Sequence, residues 1–242
     1  LFTMGKGGVG KTTVATQLAT VLSNKGYRVL LATTDPTKEI NVETTSNLNT
    51  AYIDEEQALE KYKKEVLATV NDDTPQDDID YIMEDLKSPC TEEIAFFKAF
   101  SDIMENQEDM DYVIVDTAPT GHTLLLLDSS ENHHRELKKK STQTTSNVET
   151  LLPKIQNKNL TQMIIVTLAE KTPYLESKRL VEDLNRANIG HNWWVVNQSL
   201  VTLNQRDDLF NNKKEDESFW INKIKNESLD YYFVIPYRVL EY

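Results

Sequence analysis

The sequence predicts an α/β fold, a mostly parallel sheet with helices on both faces, formed by residues 1–242 as one domain. Three observations predict it. Short apolar, β-rich runs alternate with helical patterns along the chain. The apolar runs are continuous, as in strands buried on both faces. Several of them stop at an Asp or a Pro, which gathers polar groups at the carboxyl edge of the sheet, where such sheets bind ligands.

Leu1 to Met4 reads as the first strand, followed by a glycine-rich stretch and a helix from about Thr12 to Asn24, closed by Gly26. Val29 to Thr34 ("VLLATT") is the second strand and ends at Asp35-Pro36. Glu55 to Glu105 is different: strongly helical and acidic, with Ser88-Pro89 as its internal break. It reads as a helical insertion between two core strands. Tyr112 to Val115 is a strand ending at Asp116, and the polar stretch Lys138 to Asn147 reads as a loop. Met163 to Leu168 and Trp193 to Val196 are further strands. Between them Thr172 is expected as an N-cap with Pro173 at the first helical position, and Gly190 just past that helix's end. Tyr232 to Ile235 is the last strand, before Pro236, and Trp193-Trp194 reads as core plus interface packing.

Composition narrows the function. With 39% hydrophobic and 27% charged residues, the chain suits a soluble globular protein with a sizeable core. A net charge of −13 argues against nucleic acid as a partner, because phosphate-backbone affinity rests on clustered Lys and Arg. Lys138-Lys139-Lys140 is too short a run to reverse that and reads as a solvated helix end. No apolar run is long enough to cross a bilayer, and the opening residues leave no room for a signal peptide. Cys90 is the one cysteine, so no disulfide can form within the chain, which fits the reducing cytoplasm.

Four of the seven glycines fall between Met4 and Thr13, in "MGKGGVGKTT". A turn would need one or two. Gly5-Lys6-Gly7-Gly8-Val9-Gly10-Lys11-Thr12 matches G-x-x-x-x-G-K-[ST], and Thr13 follows it, between an expected strand and an expected helix. Such a loop wraps backbone N–H groups around phosphates, which side chains would obstruct. Lys11 then reaches the β- and γ-phosphates, and the Thr12 hydroxyl serves Mg²⁺. The fold expectation sharpens to a phosphate-loop nucleoside triphosphatase using ATP and Mg²⁺. Asp35 and Asp116, each ending a buried strand, become candidates for orienting the attacking water and for standing beside Mg²⁺. Either one alone could equally be a turn or capping residue.

Lys6 is an additional lysine that an ordinary phosphate loop does not need. "GKGGVGKTT" resembles the deviant Walker A motif of the class that includes chromosome-partitioning and division-site ATPases, nitrogenase iron protein and the arsenite and tail-anchor ATPases. The resemblance implies that Lys6 acts in trans across a nucleotide-sandwich dimer, on charge that develops in the transition state. "DTAPTGHTLLLLD", Asp116 to Asp128, is similar to the signature of the arsenical pump-driving and tail-anchored-protein targeting ATPases. "SPCTEEIAFFKAF", Ser88 to Phe100, resembles the metalloid-site helix of the arsenical pump-driving ATPase family, most closely in its second nucleotide-binding half. The likeness runs through "VVNQSL" (Val195 to Leu200) to "VIPY" (Val234 to Tyr237).

Membership of that family implies an ATPase that energises arsenite or antimonite export. Its partners would be a second ATPase half or an identical subunit, an integral membrane pump and an arsenic metallochaperone. It would be cytoplasmic and peripherally associated with the pump. As(III) or Sb(III) would be the allosteric ligand, held by soft ligands at Cys90, His122 and, more weakly, Ser88. One thiol per chain cannot build a three-sulfur site, so a partner half must supply the rest. His122 is open to a second reading, a backbone hydrogen bond in a switch loop. Cys90 is open to one as a small buried hydrophobe, although the helix start expected at Ser88-Pro89 places it where a thiolate is favoured. His133-His134 reads as a solvated helix start. Asn197 and Pro236 match family positions that frame the adenine, though any strand end could use them as turn formers. After Asp35-Pro36 the chain departs from the family: Thr37-Lys38-Glu39 leads quickly to the next strand where a long switch loop is usual. The alternative is a tail-anchored-protein targeting ATPase. It is disfavoured by the absence of a C-x-x-C pair in "VVNQSLVTLNQRDDLF" and of a long Met-rich helical insertion. A positioning ATPase would need a basic membrane- or DNA-binding surface that this acidic chain does not offer.

Overall fold

A computed structural model describes residues 1–33, 42, 44–71, 74–105, 109–117, 153–203, 208–228 and 231–237. Of these, the side chains of Pro89, Cys90, Glu93, Phe97, Glu105, His191, Asn192, Asp208 and Leu209 fall outside the description. Asp35, His122, His133-His134 and the stretch Lys138 to Asn147 lie outside the described residues.

Among the described residues seven strands form one sheet: β1 (Phe2–Met4), β2 (Val29–Thr33), β3 (Leu48–Tyr52), β4 (Tyr112–Asp116), β5 (Met163–Thr167), β6 (His191–Ser199) and β7 (Tyr232–Pro236). Their order is β3-β2-β4-β1-β5-β6-β7, and every neighbouring pair is parallel. The phosphate-loop α/β architecture expected from the sequence is therefore the one observed. Every residue of β2 and of β5 is buried, as their unbroken apolar runs require.

Helix α1 (Lys11–Asn24) lies on one face, where Ala15 and Ala19 pack on Val29, Leu31 and Ile114. The other face carries α4 (Pro89–Glu105), α5 (Lys171–Arg186) and α6 (Asp208–Glu227). They meet the sheet through Phe96 and Phe100, Tyr174 and Leu184, and Ile221 and Ile224. Among the described helices, α1 belongs to a leftward connection in this strand order and α4, α5 and α6 to rightward ones, so their lying on opposite faces agrees with right-handed crossovers.

Local sequence explains the helix ends. Gly26, at φ 91°, closes α1 as expected: its N–H donates to the Ser23 carbonyl at 2.9 Å, and Tyr27 N–H donates to Leu22 at 3.3 Å. The stop of α5 corrects the expectation at Gly190. Asn188, at φ 56°, takes the left-handed position, and Ile189 N–H returns to the Leu184 carbonyl at 2.8 Å. The start of α5 is also corrected. The cap position is Glu170, and Pro173 sits third in the helix, where proline is tolerated because the first-turn N–H groups have no intrahelical acceptor.

The stretch from Glu55 to Glu105 forms three helices between β3 and β4: α2 (Glu55–Leu67), α3 (Gln76–Asp85) and α4. The break before α4 at Ser88-Pro89 is where the sequence put it. A second break, between the end of α2 at Leu67 and the start of α3, was not expected; proline fits the extended residue Pro75 just before α3 (φ −56°, ψ 143°). Helix α2 packs on α4 with Lys61–Asp102 (3.1 Å) and Lys98–Glu65 ion pairs. Among the described residues no helix is long and apolar enough to cross a membrane. Trp194 is buried in the core, whereas Trp193 lies half-buried against Tyr231 and Phe233 at the β7 edge.

Candidate functional site

The glycine-rich loop leaves the end of β1 near the middle of the sheet and runs into α1. Two glycines are dictated by close approach. A Cβ on Gly5 would stand 2.2 Å from the carbonyl oxygen of Val166 on β5, and one on Gly10 would stand 2.2 Å from Asn197 Nδ2 on β6. Both have positive φ, 148° and 89°. Between them Val9 is buried among Val14, Ile164, Val166 and Val195, which pins the loop to the sheet while Lys6, Gly7 and Gly8 stay exposed.

Helix α1 starts differently from α2. Asp54 caps α2 by accepting from Gln57 N–H at 3.0 Å, and Glu55 and Glu56 fill its first turn. The N-cap of α1 is Gly10, with no side-chain cap and no acid in the first turn. The first turn of α1 thus brings no capping side chain and no acid of its own to its positive end, as suits a phosphate site. Lys11 is the first residue of α1 and is 2% exposed; its Nζ donates to the Lys6 carbonyl at 3.2 Å. The lysine of the motif is thereby folded over its own loop. Thr13 is exposed.

Thr12 and Asp116 come together from 104 positions apart, Thr12 Oγ1 donating to Asp116 Oδ2 at 2.6 Å. Asp116 ends β4 and is 1% exposed; its other oxygen accepts from Thr3 Oγ1 at 3.3 Å. Thr117 continues this end of the sheet, donating its hydroxyl to the Thr3 carbonyl at 2.8 Å. A hydroxyl and a carboxylate side by side are hard oxygen donors of the kind Mg²⁺ takes, and neither is a soft ligand. The residues present therefore fit Mg²⁺ at Thr12 and Asp116.

Asn197 and Pro236 lie at the same edge. Asn197 Nδ2 donates to the Val9 carbonyl at 2.9 Å, so this side chain ties β6 to the phosphate loop. Pro236 pairs with Ser199 across a register shift in β6. Ser88 immediately precedes α4, and Cys90 occupies the first turn of that helix, as the sequence placed them. Among the described residues no group of three His, Cys, Asp or Glu side chains comes together as a metal site.

Two contributors escaped the sequence reading. Thr3 supports Asp116, and its signal was a hydroxyl inside an apolar strand. Glu217, 5% exposed on α6, holds Ser199 and Leu200. Its signal was an acid in the stripe Glu217, Ile221, Ile224, Ser228.

Comparison with known proteins bears on the same residues. The family model described as anion-transporting ATPase matches residues 1–152 and 129–237, which takes in the glycine loop, Asp116, Asn197 and Pro236. The chain belongs to the anion-transporting ATPase family. It is 39% identical over 237 residues to an arsenical pump-driving ATPase of Acidiphilium multivorum, covering 96% of this chain and 40% of that protein. To a putative arsenical pump-driving ATPase 2 of Aquifex aeolicus it is 32% identical over 274 residues, 97% of this chain and 91% of that protein. To an ATPase ASNA1 homolog of Entamoeba dispar it is 27% identical over 290 residues, 97% and 86%. The chain thus spans about 40% of the length of the Acidiphilium relative, while matching nearly all of the Aquifex one.

Proposed function

We propose that this chain is the ATP-hydrolysing module that energises arsenite or antimonite export through a membrane pump. One observation supports the ATP-hydrolysing part of the reading: a buried Lys11 at the uncapped start of α1, beside a Thr12–Asp116 pair at 2.6 Å. In this reading residues 1–242 are one ATPase domain, with residues 55–105 as a helical insertion carrying the metalloid-responsive helix. Gly5, Gly7, Gly8, Val9, Gly10, Lys11, Thr12 and Thr13 bind the phosphates, and Asn197 and Pro236 frame the adenine. Thr12 and Asp116 hold Mg²⁺, which when bound neutralises charge on the β- and γ-phosphates. Lys11 leaves the Lys6 carbonyl for those phosphates. Lys6, exposed at the loop tip, acts on the nucleotide of a facing domain, and Asp35 orients water.

The facing domain is a second copy or the other half of a longer protein. As(III) or Sb(III), held at Cys90, His122 and Ser88 with ligands from that second domain, draws the two nucleotide sites together. The module works in the cytoplasm at the pump and receives metalloid from a metallochaperone. The 39% identity to a protein named an arsenical pump-driving ATPase supports this branch. The second reading, a tail-anchored-protein targeting ATPase, draws on the likeness to the ASNA1 homolog.

ATP turnover of the full protein with and without antimonite tests the choice. Stimulation is expected, and Cys90→Ser removes most of it while basal turnover persists, because a hydroxyl is a harder, less acidic ligand than a thiol. Equal stimulation of parent and Cys90→Ser, with a lowered melting temperature in the variant, makes Cys90 a packing residue. No stimulation in the parent rejects the pump reading.

A further inference from the structure

Glu217 lies on α6, away from the glycine loop, yet it is 5% exposed and its Oε2 accepts twice: from Ser199 Oγ at 2.9 Å and from Leu200 N–H at 2.8 Å. Both donors are neutral. A buried carboxylate is an expensive way to fill space, and Ile221 and Ile224 show that aliphatic residues suit the same stripe of α6. What the carboxylate holds is the irregular end of β6. There Gln198 takes φ 56° and the pairing with β7 slips between Val196 and Ser199. A non-glycine residue in the left-handed region persists only when its surroundings fix it. Glu217 supplies part of that constraint, and Lys214, one turn earlier, donates to the Leu203 carbonyl in the same exit loop.

The slip has consequences on both sides. Before it, Asn197 donates to the Val9 carbonyl at 2.9 Å and ties β6 to the phosphate loop. After it, Ser199 pairs with Pro236, and its carbonyl accepts from Tyr237 N–H at 2.9 Å. The two residues read as framing a base therefore flank one bulge, and Glu217 holds the side of it that leaves β6.

We propose that Glu217 is a positioning residue of the nucleotide site: through Ser199 and Leu200 it fixes the β6 bulge that aims Asn197 and sets the register of Pro236. It thereby joins the base end of the site to the phosphate loop. The inference rests on the nucleotide reading above and adds to it a residue that touches no part of the nucleoside triphosphate.

Equilibrium binding of MgATP and of magnesium tripolyphosphate, which has no base, tests it on the full chain. The parent binds MgATP the more tightly. Glu217→Ala weakens MgATP by about 10–100-fold, the usual range for loss of an outer-layer support, and weakens tripolyphosphate less, so the preference narrows. Glu217→Gln stays close to the parent, since its amide oxygen can accept both bonds. Ser199→Ala, which keeps the Leu200 bond, falls between. Parent-like MgATP affinity in folded Glu217→Ala overturns the inference, and so does a Glu217→Gln variant as weak as Glu217→Ala. Should Glu217→Ala not fold, parent-like affinity in Ser199→Ala overturns it instead. A parent that binds no MgATP would sink the nucleotide reading itself, which is a different result from a binding parent and an indifferent Glu217→Ala.

Discussion

Alanine at Gly5, Gly8 and Gly10 separates the two reasons why a phosphate loop uses glycine. All three have positive φ, at 148°, 83° and 89°. They differ in what a methyl group would meet. At Gly8 nothing lies within 4 Å, so Gly8→Ala carries only the left-handed backbone cost, about 1–2 kcal/mol. At Gly5 the obstacle is the Val166 carbonyl oxygen at 2.2 Å, about 1 Å inside the closest comfortable carbon–oxygen approach. Val166 is buried in a strand paired on both sides, so its backbone cannot step back without disturbing the sheet. Overpacking of that kind adds about 1–3 kcal/mol, for a total of about 2–5 kcal/mol, a large share of the ~5–15 kcal/mol that domains have. At Gly10 the obstacle is an amide that can rotate away, at the expense of its bond to Val9. Gly10→Ala should thus lose little more stability than Gly8→Ala but much more affinity for phosphate. Urea denaturation without ligand, paired with MgATP binding, reads both quantities. The expected stability order is Gly8→Ala, then Gly10→Ala, then Gly5→Ala as the least stable. Equal losses at Gly5 and Gly8 would refute the steric argument and leave only backbone strain.

Lys11→Ala should abolish MgATP binding, because the β- and γ-phosphates lose their direct charge partner. Lys6→Ala should bind ATP almost normally and lose turnover, and equal loss of affinity in both variants would show that Lys6 acts in cis. Asp116→Asn should leave the melting temperature without nucleotide unchanged or higher, since Thr3 and Thr12 can reorient their hydroxyls toward an amide. Its Mg²⁺-dependent hydrolysis should fall at least 10²-fold; retained hydrolysis would remove Asp116 from the metal site.

The strands and the glycine loop were legible because each is specified locally: an unbroken apolar run for β2, β4 and β5, and a fixed spacing of glycines, Lys11 and Thr12 for the loop. The stop of α1 was legible for the same reason, a glycine at the one place where φ must be positive. The stop of α5 was misread because two residues within three of each other, Asn188 and Gly190, can both adopt that conformation, and only the packing of Ile189 decides between them. Strand β3 had no bounds in the sequence reading, since "LNTAY" at a sheet edge is mostly polar or exposed and carries no apolar run. Partnerships across the chain were the least legible. Nothing in "LFTM" says that Thr3 supports Asp116, and nothing near Glu217 says that its carboxylate holds Ser199. Both depend on strand order, which is a property of the whole sheet.

Strand order also bears on how an event at Cys90 reaches the nucleotide. Helix α4 leads directly into β4, and β4 ends at Asp116. A helix on a parallel sheet runs back along its strands, so the start of α4 points toward the edge that carries the glycine loop. Seventeen residues of helix span about 25 Å, whereas the five residues of β4 span about 16 Å. Helix α4 is therefore longer than the strand that follows it. Further along, Phe100 of α4 packs on Phe2 of β1 with ring centroids 5.9 Å apart, and Phe2 precedes the glycine loop by three residues. Helix α4 is thus joined both to the strand that carries Asp116 and to the strand that leads into the glycine loop. If metalloid binding draws the starts of two such helices together, each nucleotide site is pulled through contacts within its own domain, and no long relay is needed. The targeting reading calls for no metalloid at Cys90. That is why the antimonite response, more than the hydrolysis itself, separates the two.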